Sequence, residues 1–413
     1  MAPAPILPPG FRWERGPYEQ CASCGEVAVG MLSAGGDSMA MRCSSCRDTY
    51  QEILPKLNKR VIYLDQNLFS ILYRVKTEGR LPIGHEALSR EIYERIRRVV
   101  LFQQAVLPHS NLHSEETIIF SEGTDLRAFY EHVGGNIRLV PTHDVEIAQY
   151  VAFAEAYVAG QDPVVDFDVS NVVRGDKDAW LHDIHIQVKA NYGAFAGGIR
   201  ARRQKSHAEM TALYDLWKAT KPTFKRALEA ELAAHLYMKQ EAFLNHASSA
   251  FRAQDAGEIG KYISLCNEPI FDEKRAIVYA LGLDKAPDDQ ALEAVFEFWR
   301  WERNREVPVH RIACHLWAAL ATRFGSGQKK SSQGASTDIK AISSYAPYVD
   351  AMFVDREFAH ILNERQSEVA KLPIKARIFS FAEPDAFVAY LAEIEDGIPA
   401  DVRGYAQRIY GIA

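Results

Sequence analysis

Four cysteines near the N-terminus form two pairs with the same internal spacing. Two residues separate Cys21 from Cys24 and Cys43 from Cys46, and 18 residues lie between the pairs. Two such knuckles can present four thiolates tetrahedrally to one zinc ion. Gly25, directly after the first pair, supplies the backbone freedom that a tight turn needs. The spacing therefore predicts a zinc site.

This zinc is expected to be structural. Four cysteine ligands leave no coordination position for a substrate, and the metal replaces a hydrophobic core that so short a segment cannot build. Cys266 and Cys314 stand alone, and in a reducing compartment this pattern favours metal over disulfides. Arg42, Arg47 and residues 56–60 give the module a basic flank, so contact with nucleic acid, another chain or only its own domain all stay open.

Four carboxylates are placed where divalent metal ions could be held. Asp65 and Asp355 each follow a predicted strand, Glu116 lies on a predicted helix, and Asp338 opens another. Magnesium and manganese prefer oxygen ligands, and beside a phosphodiester they polarise the phosphate and activate water. Taken singly, each aspartate could instead be a turn or helix-cap residue. Taken together, the four predict metal-dependent phosphodiester hydrolysis.

The elements around these carboxylates indicate a parallel α/β sheet. Residues 61–64 and 351–354 are short apolar runs, each followed by an aspartate, as is typical of buried parallel strands. Further strands are predicted at 105–107 and 377–380. The intervening helices are predicted at 66–75, 86–104, 110–132 and 338–345. Since parallel sheets carry functional side chains at the carboxyl ends of their strands, Asp65 and Asp355 are expected to share one edge.

Three stretches resemble the motifs of PIN-like nucleases. Residues 61–70, with an aspartate after a hydrophobic strand and an asparagine shortly after it, look like the opening motif. Residues 110–116 are similar to the second motif, a glutamate on the helix after a strand. Residues 338–355 resemble the closing pair, an aspartate at a helix start and another after the next strand. The resemblance covers residues 61–143 and 311–381.

The resemblance implies a PIN-like fold that hydrolyses phosphodiester bonds, usually in RNA, with divalent metal. It implies that the magnesium or manganese ligands are Asp65, Glu116, Asp338 and Asp355. The sequence departs from the pattern at Gln66, where threonine, serine or alanine is more usual, and in a much longer segment between the second and third motifs.

Some assignments near the acidic residues remain open. An apolar stripe passes between Glu115 and Glu116, so helical spacing does not choose between them. Asn67, His113 and Asp350 are candidates for orienting the metal ligands. His113 could instead contact phosphate, and Asp350 is also a candidate ligand.

The chain divides into four predicted parts. Residues 1–60 form the zinc ribbon and a basic connector, 61–143 the first part of the PIN-like domain, 144–310 an all-helical insertion, and 311–413 the second part of the domain. Almost the whole stretch from 144 to 324 is expected to be helical. A basic cluster in the insertion could contact nucleic acid, although solvated helix faces often look the same; its members are Arg200, Arg202, Arg203 and Lys205.

Composition limits the functional classes. The net charge is −6, so nucleic-acid binding would depend on local patches. There is no long apolar stretch for a membrane and no secretory signal, which makes the cytoplasm the expected location. Motifs for ATP binding or a catalytic serine are also lacking.

The sequence therefore predicts a cytoplasmic nuclease with structural zinc and catalytic magnesium or manganese, and with RNA favoured over DNA as substrate. A toxin or phage-defence effector would suit this design, and a protein partner or homo-oligomer is compatible with it. The alternative is a non-catalytic nucleic-acid-binding or assembly protein with a zinc ribbon and a degenerate PIN-like fold.

Overall fold

The computed structural model describes residues 14–81, 84–119, 123–134, 137–180, 196–328, 334–364 and 369–411. Its first unit, the cysteine module, is an antiparallel sheet in the order β1-β2-β3-β4. The strands are β1 (Arg15–Gln20), β2 (Val27–Gly35), β3 (Ser38–Cys43) and β4 (Thr49–Ile53). In β3, alternate residues Met39, Met41 and Cys43 are buried, as expected for a sheet with one solvated face.

The cysteine module packs against the C-terminal helix α15 (Ala400–Tyr410). Their shared apolar cluster includes Met39, Trp180 and Val402. Arg408 on α15 reaches back to Glu19 at 2.7 Å and to Glu52 at 3.0 Å. The module is therefore attached to the rest of the chain by burial and by ion pairs.

A four-stranded parallel sheet forms the centre of the α/β unit, in the order β10-β9-β5-β6. Its strands are β5 (Arg60–Leu64), β6 (Ala105–Val106), β9 (Ala351–Phe353) and β10 (Arg377–Phe379). Beyond β6, a parallel bridge between His109 and Arg138 joins the sheet to an antiparallel pair, β7 (Arg138–Leu139) and β8 (Val173–Arg174). The sequence-based prediction of a parallel sheet flanked by helices is confirmed.

Helices cover both faces of the parallel sheet. One apolar cluster lies between the sheet and α1 (Gln66–Lys76), α2 (Glu86–Leu101), α4 (Gly123–Gly134) and α14 (Pro384–Asp396). The other lies between the sheet and α5 (Thr142–Ala159), α11 (Pro308–Gly325), α12 (Ala335–Tyr345) and α13 (Arg356–Asn363). The chain forms α3 (Asn111–Ile119) and α4, with residues 120–122 outside the described part. The hydroxyls of Thr117 and Tyr130 lie 3.5 Å apart, so the single helix expected over residues 110–132 was wrong.

The middle of the chain is largely helical. Its helices are α6 (Ala196–Thr220), α7 (Phe224–Asp255), α8 (Ile259–Cys266), α9 (Pro269–Ala280) and α10 (Asp288–Trp299). The expectation of almost continuous helix was wrong for residues 160–180, which hold only one 3₁₀ turn, Val169–Val172, and β8. Gly160 ends α5 in the left-handed conformation and Pro163 follows, which explains the stop.

Candidate functional site

Asp65 stands at the carboxyl end of the central strand β5. Its backbone N–H donates to the carbonyl oxygen of Phe353 on β9 at 3.0 Å, so the two strands hold its position. Its carboxylate accepts a hydrogen bond from the N–H of Leu68 at 2.8 Å and thereby caps α1. Asp65 is therefore both a helix cap and a half-buried acid at the sheet edge.

Asp355 follows β9, one residue beyond the register position of Asp65. Its neighbour Val354 still pairs with β10, donating to Phe379 at 2.9 Å. Asp355 then starts α13, where its side chain forms no capping bond. Because β5 and β9 are adjacent and parallel, Asp65 and Asp355 share the carboxyl edge of the sheet.

Two helices add further carboxylates to this edge. Glu116 on α3 is half-buried, whereas Glu115 is exposed. Asp338 is half-buried in the first turn of α12. The expectation that Asp338 opens its helix was wrong, since α12 begins at Ala335, although the carboxylate still lies at the helix N-terminus, where negative charge is favoured.

The charges of this cluster act on the pKa values of two of its members, Asp65 and Asp338. Burial raises the pKa of Asp65 to about 7 against the hydrogen bond from Leu68, which lowers it, and the charges of Asp355 and Glu116 raise it further. Burial likewise raises the pKa of Asp338 to about 8, helped by the charges of Asp65, Asp355, Glu116 and Glu357. Clustered acids with raised pKa values mark a place where a cation would be stabilised.

The spread of these carboxylates limits the kind of metal site they can form. Among the residues the structure describes, the four cysteines are the one set of three or more His, Cys, Asp or Glu whose ligand atoms all lie within 4.8 Å of one another. The carboxylates thus do not form a closed cage for one ion. Magnesium commonly binds one or two carboxylates and completes its shell with water and substrate phosphate, and an all-oxygen donor set of this spread fits that mode.

His113 supports the backbone beside Asp65. Its Nε2 donates to the carbonyl oxygen of Leu64 at 2.7 Å, and its Nδ1 accepts from the N–H of Ser110 at 3.0 Å. The ring stacks on Tyr63 with centroids 5.0 Å apart, and burial lowers the pKa of His113 to about 3. Both nitrogens of this neutral histidine are used within the fold, so it positions the end of β5 and does not bind phosphate.

The other two supporting candidates lie in different places. Asn67 is exposed in the first turn of α1 and lines a cavity of about 510 Å³ beside Asp65 and Asp355. Asp350 precedes β9 and accepts from the N–H of Val61, at the start of β5, at 2.8 Å. Asp350 therefore lies at the opposite edge of the sheet, and its interpretation as a further metal ligand was wrong.

The cavity beside Asp65 and Asp355 has mixed walls. Arg356 and Glu357 contribute charge, while Ile71 and Phe381 contribute apolar surface. His85 completes the wall with its ring 5.9 Å from that of Phe381. None of these residues belongs to a predicted motif, and Glu357 also acts on the pKa of Asp338.

The Tyr130 hydroxyl donates a hydrogen bond to the Gln66 side-chain oxygen. Like the cavity residues, Tyr130 was not predicted from the sequence. Burial raises the pKa of Tyr130, and the nearby Glu116 and Asp65 raise it further, so this phenol borders the acidic cluster. The unusual Gln66 next to Asp65 was the available signal, but its partner comes from α4, which the sequence does not place beside α1.

The basic cluster lies on α6. Arg200 and Lys205 are exposed there, and Lys205 is 3.9 Å from Glu209 one turn later. The side chains of Arg202 and Arg203 lie outside the described part of the chain. For Lys205, the structure shows the solvated helix face that the sequence offered as the alternative.

The four cysteines converge at one end of the cysteine module. Sγ of Cys21 lies 3.6 Å from that of Cys46, and Sγ of Cys24 lies 3.7 Å from that of Cys43. Thiolates about 2.3 Å from a central zinc in a tetrahedron would be roughly 3.8 Å apart. The N–H of Cys46 lowers the pKa of the Cys43 thiol to about 6. The four thiols could therefore hold a zinc ion.

The two knuckles have the same backbone geometry. The backbone N–H of Gly25 donates to the carbonyl oxygen of Cys21 at 2.9 Å, and the backbone N–H of Arg47 donates to the carbonyl oxygen of Cys43 at 2.9 Å. Both residues have a positive φ, 77° for Gly25 and 66° for Arg47. The second knuckle thus adopts with an arginine the conformation for which the first uses glycine.

No family model matches the chain, and neither a curated protein nor a solved structure matches it. No helix in the described ranges is both long and apolar enough to cross a membrane. The class of protein is therefore defined by its own fold and sites: a parallel α/β protein with an acidic sheet edge and a four-cysteine module.

Proposed function

We propose that this protein is a divalent-metal-dependent nuclease of PIN-like architecture, acting on RNA in preference to DNA. The observation that carries the proposal is the sheet edge at which Asp65 and Asp355 follow adjacent parallel strands and line one cavity, near enough to Glu116 and Asp338 for their charges to act on one another. Their mutual electrostatic effect on pKa supports it. In the same proposal, residues 144–310 are an insertion, and zinc occupies the cysteine module.

Each carboxylate has a role in this scheme. Asp65 and Asp355, fixed by adjacent strands, hold the magnesium or manganese ions at the sheet edge. Glu116 on α3 and Asp338 on α12 add negative charge beside these ions. Bound ions polarise the phosphodiester and activate water. His113 keeps the end of β5 in place through Leu64, and the adjoining cavity accepts the nucleotide next to the scissile bond.

Cleavage of labelled single-stranded RNA and DNA by the purified full chain tests the proposal, with manganese, magnesium or EDTA present. Asp65→Asn is an informative variant because asparagine keeps the capping bond to Leu68 while removing the charge. We expect Asp65→Asn, Glu116→Gln and Asp338→Asn each to reduce the metal-dependent rate by about 100-fold or more, the scale on which loss of one electrostatic stabiliser acts.

Glu115→Gln is the matched control, because Glu115 is exposed and adjacent in sequence to Glu116. It should retain the wild-type rate. Equal losses of cleavage rate in Glu115→Gln and Glu116→Gln would show that Glu116 has no specific role in the site. Absence of cleavage by wild-type protein on both substrates, with oligonucleotide binding kept by the variants, would replace the nuclease proposal with the non-catalytic binding protein.

A further inference from the structure

One face of helix α7 is apolar and open to solvent. The exposed fractions of Tyr237, Leu244 and Phe251 are 64%, 47% and 65%, and the three positions repeat every seven residues. Exposed residues between them continue the pattern in steps of three and four. We call this row the α7 stripe: Ala234, Tyr237, Glu241, Leu244, Ser248, Phe251 and Asp255.

The α7 stripe is not the face by which α7 is attached to its own protein. Leu236, Phe243 and Ala250, each one residue before a large stripe residue, are buried. They also repeat every seven residues, so α7 has two apolar faces. A row with alternating steps of three and four is the seam of a helix pair.

We propose that the α7 stripe pairs in antiparallel orientation with the α7 stripe of a second copy of this chain. The stripe alternates large side chains with small or aliphatic-stemmed ones, so an antiparallel pair can place a large residue opposite a small one in each layer. Tyr237 then faces Ser248 of the second copy. Phe251 faces Ala234, and Leu244 packs on the methylene groups of Glu241.

Charge selects the antiparallel orientation. A parallel pair would place Glu241 against Glu241 and Asp255 against Asp255 in the seam, which is destabilising. An antiparallel pair moves the two Asp255 to opposite ends of the seam and opposes the two helix dipoles. Each Glu241 then faces Leu244, and the two Glu241 are offset by three residues, roughly 4.5 Å along the axis, instead of facing each other. The same helix thus supplies both halves of a self-complementary interface, as twofold symmetry requires. Ile259 and Ile263 on the adjoining α8, 56% and 53% exposed, add apolar surface beside it.

The first test is the mass of the full chain in solution, measured by sedimentation equilibrium from about 1 to 100 µM. We expect wild-type protein to dimerise and Leu244→Glu to raise the dissociation constant at least tenfold. Tyr279→Glu is the control, since Tyr279 is 77% exposed on α9 and outside the stripe; it should dimerise like wild type. A monomeric wild type, or a Leu244→Glu dimer of unchanged affinity, would overturn the proposal.

Cysteine cross-linking tests the orientation. In a Cys266→Ser background, Ala234→Cys and Phe251→Cys proteins are mixed under oxidised glutathione. The antiparallel layers bring residue 234 of one copy to residue 251 of the other, whereas identical positions lie 17 residues apart along the axis, roughly 25 Å, beyond disulfide reach. Mixed disulfide dimers are expected, with neither protein cross-linking to itself. Self-cross-linked Phe251→Cys would show a parallel pair and overturn the assignment.

Discussion

Single residues at the acidic edge have opposing effects on the stability of the fold. Asp65 stabilises α1 as its cap, yet its pKa, like that of Asp338, is raised by burial and by neighbouring carboxylates. A folded state with raised carboxyl pKa values binds protons more tightly than the unfolded chain. The stabilisation this gives is complete below the ordinary pKa of about 4 and is lost as pH rises through 7 and 8.

Replacing Asp338 with asparagine should therefore stabilise the metal-free protein at alkaline pH. We expect Asp338→Asn to raise the free energy of unfolding by about 1–2 kcal/mol at pH 9, with a much smaller effect at pH 5, where Asp338 is already protonated. Chemical denaturation in EDTA at the two pH values measures this. Manganese should raise the wild-type melting temperature and raise that of the variant less. An equal gain at both pH values would contradict the electrostatic origin.

The residues around Asp65 show how much of the site could be predicted. The aspartates after two apolar strands could be found from the sequence, because a buried parallel strand and its terminal acid leave a local pattern. Glu115 and Glu116 could not be separated, since only the packing of α3 decides which one faces the sheet. Asp350 was misplaced because a residue just before a strand lies at the opposite edge from one just after it.

Among the elements, the two cysteine knuckles are nearly equal in geometry but differ in sequence. Gly25 and Arg47 hold the same turn position with positive φ. A Cβ at Gly25 would meet no atom within 4 Å, so the effect of a side chain there comes from backbone strain alone. The knuckles thus provide an internal comparison of glycine with a residue that tolerates this conformation less well.

Gly25→Ala should weaken metal retention, whereas Arg47→Gly should not. The alanine adds backbone strain of about 1–2 kcal/mol, while glycine at position 47 relieves strain and makes the unfolded chain more flexible, two effects that nearly cancel. Zinc release to a chromogenic chelator measures this, starting from protein with one zinc per chain. Faster release from Arg47→Gly than from Gly25→Ala would show that the Arg47 side chain has a role of its own.

The elements also show where sequence patterns fail. The parallel strands were predicted because each combines a short apolar run with a polar end. The separation of α3 from α4 and the irregular segment after Gly160 were missed, although Gly160 and Pro163 are helix-stop signals present in the sequence. Which strand neighbours which depends on contacts between distant segments, so only the fold shows that Asp65 and Asp355 follow adjacent strands.

In the molecule as a whole, a buried charge cluster joins the helical region to the sheet-covering helices. Lys239 on α7 bonds Glu273 on α9 at 2.5 Å and also pairs with Glu146 on α5. Burial alone would lower the pKa of Lys239, but the two carboxylates hold it raised. The indole N–H of Trp299 also donates to Glu273 at 3.0 Å. Three helices therefore depend on one ammonium group.

Removing that ammonium should destabilise the fold strongly. Lys239→Met leaves two carboxylates buried without their cation, and we expect a loss of about 3–5 kcal/mol in the free energy of unfolding. The triple variant Lys239→Met, Glu146→Gln, Glu273→Gln should recover much of this, because no unpaired charge remains. Urea unfolding compares the proteins. A triple variant no more stable than Lys239→Met would show that packing around the lysine stem, rather than charge, is the main contribution.

The central pairing of the sheet also fixes when the acidic edge can exist during synthesis. Val61 at the start of β5 bonds Asp350 just before β9, across 289 residues of chain. At the usual 5–20 residues per second, a ribosome needs roughly 15–60 s to translate that distance. Until then β5 lacks its central neighbour, and Asp65 and Glu116 have no Asp355 beside them. A nascent or prematurely terminated chain therefore lacks the complete acidic edge, and we expect the proposed reaction to begin only when the protein is nearly finished.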